Sequence, residues 1–493
     1  MSVLLISILV LAAFLVFAIL GTPLAYSLLL AGTLGLILLD GVEGAAFELG
    51  NAPYGTAASY FLLLIPVYVL IGMLVANGGL AQKVYKVASH LLRWLPGGVG
   101  VATVVACAGF AAVTGSSIAT VATIGRVAVD EMVEFGIKAR TAAGLVAAAG
   151  TLGALIPPSV VLVLYGFISG ESIGQLLLAG IIPGIVVAIV YSVYLMIAER
   201  GHGKQKATAT PTAALVGAGA GGGSTAASGS WGRVPTSALS EAIDEQAHDQ
   251  RGGGDGVAGS GDGKTAAPAK RERVPYEAAL YIILIFGVVV GGMYSGFFTV
   301  VESGAIGVIL ALVIIILEAR RNRQSILGLL RDSLAESMSV MSMVFGLLLG
   351  GGVLAMFFVS TRLPNDLSNW VTGLDIPPIV LVIVLLAILI PLGMFLEPMS
   401  IILILVPIYH PIVTALGFDG IWFAILFVRM IEVAMITPPV GLNVFVVAGV
   451  AKNVSVEQVF RGVLPFILLD FLCIALFMAV PEIITFLPSI ANA

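Results

Sequence analysis

The chain has 493 residues, of which 59% are hydrophobic and only 10% charged, with a mean hydropathy of +1.10. Water-soluble domains carry about a quarter charged residues, so this composition describes a polytopic, all-α membrane protein. The net charge of −5 gives no sign of nucleic-acid binding, and two lone cysteines, Cys107 and Cys473, make neither a disulfide framework nor a zinc site.

A membrane crossing needs about 17–25 apolar residues. The opening MSVLLISILVLAAFLVFAILG lacks the basic start of a cleavable signal and reads as a retained first crossing. Spans are predicted near 3–20, 23–40, 58–76, 139–169 and 174–198, then near 276–292, 302–318, 337–358, 420–451 and 460–480. The stretch LAQKVYKVASHLLRW (80–94) places Lys83, Lys86, His90 and Arg93 on one side of a helix, as in an arm lying in the membrane plane. Two further apolar blocks, 97–134 and 376–415, are interrupted at their centres. Thr114-Gly115-Ser116-Ser117 divides the first, and Gly393 through Pro398-Met399-Ser400 divides the second. Both are predicted to be re-entrant hairpins.

Residues 201–274 differ in kind, with runs such as GAGAGGGSTAASGS and few large apolar side chains. Such a segment cannot bury enough surface to offset its ordering entropy, so a disordered linker is predicted, with a short helix possible over 235–246. It separates two halves, 1–200 and 275–493. ALIPPS (154–159) followed by Gly180-Ile-Ile-Pro183 is echoed by MITPPV (435–440) followed by Gly462-Val-Leu-Pro465, at a shift near 281–282 residues. Each half then holds five crossings and one hairpin. Five is odd, so the halves form two inverted-topology repeats.

Basic residues fall on one face, among them Lys83, Lys138, Arg140, Arg200, Arg320 and Arg461, while Glu43, Glu48, Glu171, Asp366, Asp419 and Glu482 fall on the other. The positive-inside bias makes the first face cytoplasmic and puts both termini outside.

Each half carries a Pro-Pro pair inside an apolar helix. Proline has no N–H to donate, so Pro157 and Pro158 free the carbonyls of Gly153 and Ala154, and Pro438 and Pro439 free those of Ala434 and Met435. Free carbonyls at a half-helix C-terminus suit a small dehydrated cation. The next half-helix begins with free amides that suit an anion. Hairpin residues complete the cage: Thr114, Ser116 and Ser117 at one tip, Gly393 and Glu397 at the other, with Thr437 beside the second break. A single Pro-Pro pair is as easily a kink. Two of them, each preceded by a polar hairpin, favour a transporter's discontinuous-helix site.

Among other intramembrane polar groups, Glu397 and Glu432 are candidates for function, although Arg429 and Glu432, at i,i+3, can simply pair. Glu302 suits a helix N-terminus. His410 and the cysteines read as packing residues. Candidate substrate contacts are Ser116, Ser117, Ser159, Glu397 and Asn443.

IPVYVLIGMLVANGGLA (65–81), TGSSIATVATIG (114–125), GTLGALIPPS (150–159), SIGQLLLAGIIPG (172–184), GGMYSGFFTVVESGA (291–305), LGMFLEPMSIILIL (392–405) and ITPPVGLNVFVVAG (436–449) together run through nearly the whole chain. In order and content they resemble the large membrane subunit of tripartite ATP-independent periplasmic (TRAP) transporters. The resemblance implies an elevator-type, sodium-coupled importer of organic acids in the bacterial cytoplasmic membrane, not an enzyme, with sodium as coupling ion and no other cofactor. It implies two partners, a small four-helix membrane subunit and a periplasmic solute-binding protein. Carried onto this sequence, one sodium site would involve Thr114, Gly153, Ile156 and Pro157, and the other Gly393, Leu396 and Thr437. Departures from the family pattern include Ala111 in place of a serine, Val300 in place of a proline, and Arg429, Met430 and Ala434 near the second break. A stand-alone ion-coupled dicarboxylate or citrate-type carrier of the same superfamily is the alternative.

Overall fold

The structure is a computed structural model that describes residues 3–57, 60–199, 274–373, 376–451 and 454–491. Contacts group the chain into a helical body, residues 1–18, 22–205 and 274–493, and a second unit of residues 19–21 and 206–273, of which only 19–21 are described. The predicted linker, Val274 excepted, and the short helix at 235–246 lie outside the described residues.

No strand occurs among the described residues. Helix α1 (Val3–Ile19) is apolar except for Ser7, and α2 (Leu24–Ala57) contains one non-helical residue, Gly41, at φ 76. The predicted second span ends one residue before that break. Helix α3 (Leu64–Asn77) turns through Gly79, at φ 69, into α4 (Leu80–Leu92), which leaves it at 67°. Leu80, Ala81, Val84, Tyr85 and Ala88 form the buried stripe of this predicted arm.

The block 97–134 is a pair of helices, α5 (Gly98–Thr114) and α6 (Ser117–Glu134), separated only by Gly115 and Ser116. Gly115 adopts φ 60, a left-handed conformation that glycine tolerates at a helix C-terminus. The Ser116 hydroxyl then accepts the Ala119 N–H and caps α6. The first broken span consists of α7 (Ala139–Gly150), a 3-10 turn (Thr151–Ala154), the cis Pro157-Pro158 pair and α8 (Val160–Ser169). Helix α9 (Ile173–Ala198) follows.

In the second half come α10 (Tyr276–Tyr294), α11 (Val300–Arg321) and α12 (Ile326–Thr361). Glu302 closes a reciprocal cap on α11: the Thr299 N–H donates to its Oε2 at 2.8 Å. Helix α12 starts at its Ser325 cap, well before the predicted 337, because its first turns carry polar residues that an apolar-span criterion leaves out. Helix α13 (Leu363–Thr372) precedes a hairpin of α14 (Pro378–Phe395) and α15 (Pro398–Ala415), whose turn is only Leu396-Glu397. The second broken span is α16 (Gly420–Ala434), the cis Pro438-Pro439 pair and α17 (Leu442–Val450). Helices α18 (Val456–Ala479) and α19 (Glu482–Ala491) end the described chain.

Among the described residues eight helices are long and apolar enough to cross a membrane, or nine if α3 and α4 count as one bent span. Helix α12 packs along α2, and α18 along α7. At the α7–α18 crossing Gly144 and Gly462 let the backbones touch: a Cβ on Gly462 would lie 1.8 Å from the Arg140 carbonyl oxygen. This small-residue contact joins the two halves of the sequence directly.

Candidate functional site

The first hairpin tip sits against the first break, backbone on backbone. A Cβ on Gly115 would lie 2.1 Å from the Pro158 carbonyl oxygen, and one on Gly153 would lie 2.7 Å from the Ser116 carbonyl carbon. The Val160 N–H also donates to the Gly115 carbonyl at 3.4 Å. Thr114 is buried beside this junction; its hydroxyl donates to the Phe110 carbonyl and lies 3.3 Å from the Thr120 hydroxyl. Ile156 packs against Gly184 of α9. Thr114 and Gly153 thus lie at one tip–break junction, and Ile156 and Pro157 follow Gly153 in the break, with Ile156 turned towards α9.

The second hairpin meets the second broken span through other residues. A Cβ on Gly393 would meet the Ala434 Cβ at 2.5 Å, so the end of α14 lies on the last turn of α16. Leu396 is buried in the adjoining turn. The Thr437 hydroxyl donates to the Val433 carbonyl at 2.7 Å.

The carbonyls freed by proline do not all stay unpaired, which corrects the sequence expectation. The Ser159 hydroxyl donates to Ala154 O at 2.5 Å, the Thr437 N–H to Ala434 O at 3.1 Å, and the Asn443 N–H to Met435 O at 3.2 Å. The chain folds back after each break and brings donors within reach. Each carbonyl oxygen still has a second lone pair for an ion.

Between the two tips lies a cavity of about 100 Å³. Its wall comprises Thr114–Ala119 of the first tip, Glu397–Met399 of the second, Val160 and Val161, Met435, and residues of α3 and α12. Of the predicted residues, Thr114, Ser116, Ser117 and Glu397 reach the cavity. Gly153, Ile156, Pro157, Gly393, Leu396 and Thr437 belong to the two junctions instead. Ser159 is fully buried and also accepts the Leu162 N–H, so it caps α8 behind the wall. Asn443 is fully buried too, with neither side-chain polar atom partnered.

Arg429 and Glu432 do not pair. They point from α16 to different neighbours. Arg429 donates to Thr151 Oγ1 at 2.8 Å and Tyr191 Oη at 2.9 Å, and is ion-paired with Asp470 of α18. Glu432 Oε1 instead accepts from the Ser117 hydroxyl at 2.8 Å. All of these residues are buried, so two polar links tie the second broken span to the first tip and first break. Asp470, Tyr191 and Thr151 escaped the sequence reading. A lone aspartate in the apolar α18 was the available signal. His410 is more than packing: its Nε2 lies 3.5 Å from Glu171 Oε1, and its Nδ1 lies 3.4 Å from the Tyr165 hydroxyl. Burial raises the Glu171 carboxyl above the usual range, and the nearby Asp419 charge adds to the effect.

Residues 11–483 match the family described as the tripartite ATP-independent periplasmic transporter, DctM component. The chain belongs to that family. It is 31% identical over 465 residues to the C4-dicarboxylate TRAP transporter large permease protein DctM of Pseudomonas aeruginosa, covering 94% of each chain. It is 30% identical to the protein of that name from Vibrio cholerae, covering 96% of this chain and 95% of that one. The sialic acid TRAP transporter large permease protein SiaM of Vibrio cholerae is 26% identical, with 95% of each chain covered. Among solved structures, the Alcanivorax borkumensis YdaH transporter superposes with a TM-score of 0.56 at 15% identity, over 90% of this chain and 88% of that one. That likeness concerns the fold alone. As a TRAP large permease, the chain is a multi-pass membrane protein and a transporter subunit for organic acids, not an enzyme.

Proposed function

We propose that this permease imports an organic acid by sodium-coupled, elevator-type movement, receiving it from a periplasmic solute-binding protein and working with a small four-helix membrane subunit. The observation that carries the reading is the pair of tip–break junctions flanking one cavity. Each junction presents carbonyls and hydroxyls to a cation, while helix N-termini face the cavity. Thr114, Gly153, Ile156 and Pro157 would hold one sodium ion, and Gly393, Leu396 and Thr437 the other. Ser116, Ser117 and Glu397 would meet the substrate.

An inverted repeat fits the equal spacing of the two breaks and the matching order of arm helix, hairpin and broken span in each half. The hairpins and broken spans, 97–169 and 376–451, would form the moving part. The Lys83–Glu318 and Arg321–Glu277 pairs bring α4 and the ends of α10 and α11 to one face, in support of a cytoplasmic basic face and outward termini. The isethionate TRAP transporter permease protein DctMQ of Oleidesulfovibrio alaskensis, 29% identical, exceeds this chain in length: the match covers 97% of this chain but 64% of that one. It is in keeping with a second membrane subunit.

Reconstitution tests the reading. Uptake of labelled organic acids into proteoliposomes is expected only with an inward sodium gradient and the binding protein present. Uptake indifferent to sodium would remove the cation sites, and uptake without the binding protein would favour the stand-alone carrier.

A further inference from the structure

Between Thr141 and Ser159 the first broken span holds one polar side chain, Thr151, which opens the 3-10 turn Thr151–Ala154. Its hydroxyl donates to the Ala148 carbonyl at 2.6 Å and accepts from Nη1 of Arg429 at 2.8 Å. Arg429 comes from the other broken span and is itself fixed by Tyr191 of α9 and Asp470 of α18. The same helix, α16, also reaches the facing tip, where Glu432 accepts from the Ser117 hydroxyl. One helix therefore grips the first junction from both sides, the break through Arg429 and the tip through Glu432. It then ends at Ala434, against Gly393 of the second junction.

Gly153 lies in the turn that Thr151 opens. Its carbonyl has no helical donor, because Pro157 lacks an N–H and the Ile156 N–H goes to Leu152. Gly150 and Gly153 offer no side chain of their own to hold the turn, and glycine leaves the backbone free to move. An ion that binds a loose turn bears the cost of ordering its ligands, whereas a turn already held spares it. A buried, charge-assisted hydrogen bond is among the stronger anchors available. We propose that Arg429 is a positioning residue for the first sodium site: through Thr151 it holds the Gly153 carbonyl in place without touching the ion. This deepens the sodium reading above and rests on it. Two changes separate the anchor from net charge. Thr151→Val leaves every charged side chain in place, and Arg429→Met/Asp470→Leu removes two opposite charges together.

Sodium binding to the purified full-length permease tests the role, read by displacing radiolabelled sodium with unlabelled sodium in choline buffer, beside melting temperatures without sodium. Thr151→Val and Arg429→Met/Asp470→Leu are each expected to show a component about tenfold weaker than any in the wild-type chain, the worth of one good hydrogen bond. Tyr191→Phe removes another acceptor of Arg429, on α9 rather than at the break. It is expected to bind sodium as the wild type does, even where it melts lower. The double variant, which leaves no charge unpaired, decides the matter should Thr151→Val fail to fold. Wild-type affinity in both altered chains, or a loss in Tyr191→Phe equal to that in Thr151→Val, overturns the positioning role and leaves sodium binding standing. A wild-type chain that binds no sodium overturns the sodium reading, and the positioning role with it.

Discussion

Arg429 and Asp470 are both fully buried, so each charge depends on the other. Removing one partner of such a pair typically costs about 3–5 kcal/mol, whereas replacing both with apolar residues is often neutral or stabilising. Arg429→Met alone is therefore expected to lower the melting temperature sharply, and Arg429→Met/Asp470→Leu to recover most of the loss. Thermal unfolding in detergent checks this; a double variant less stable than the single one would contradict it. Glu171, in the loop between α8 and α9, gives a pH signature. Burial and the Asp419 charge raise its carboxyl pKa in the folded protein. Its stabilising contribution is therefore complete in acid and lost as pH rises through the folded value. Glu171→Gln, neutral at every pH, should melt with the wild type at pH 4 and above it at pH 8. A wild-type chain that melts higher at pH 8 would mean that the His410 contact outweighs the burial of the charge.

Helices α7 and α18 meet at Gly144 and Gly462, and a methyl group on Gly462 has nowhere to go. Gly449, in α17, is exposed and has nothing within 4 Å of where a Cβ would sit. Gly462→Ala is expected to destabilise by about 1–3 kcal/mol through overpacking, and Gly449→Ala to be neutral or to stabilise by up to ~1 kcal/mol. Equal melting temperatures for the two variants would show that the helices part without penalty. At this scale much was legible in the sequence. Pro-Pro pairs and polar interruptions in apolar blocks mark the breaks and tips to within a few residues, because a helix in lipid cannot hide a missing donor. The long start of α12 was not, since its first turns resemble loop in composition. Nor could spacing tell where Arg429 and Glu432 point. At i,i+3 they share a helix face, but Asp470 and Ser117, distant in sequence, compete for them and win. Ser159 also looked like a cavity residue until the fold turned its hydroxyl onto Ala154.

Over the whole molecule, the two halves are held together through polar groups as well as small-residue packing. Ser117–Glu432 joins the first tip to the second broken span, and Arg429–Thr151 joins the two broken spans to each other. An ion settling at either junction would therefore act on a shared framework that also borders the cavity. Ile118 is well placed to report this. It lies on the cavity wall in the first turn of α6, is 37% exposed, and lies outside the proposed ion ligands. The most direct measurement is the maleimide labelling rate of Ile118→Cys as sodium is titrated against choline. The wild-type chain, whose Cys107 and Cys473 are buried, gives the background. Sodium is expected to slow labelling several-fold with a saturable midpoint while choline does nothing. A rate unchanged from sodium-free to saturating conditions would contradict ion binding at the junctions that frame the cavity.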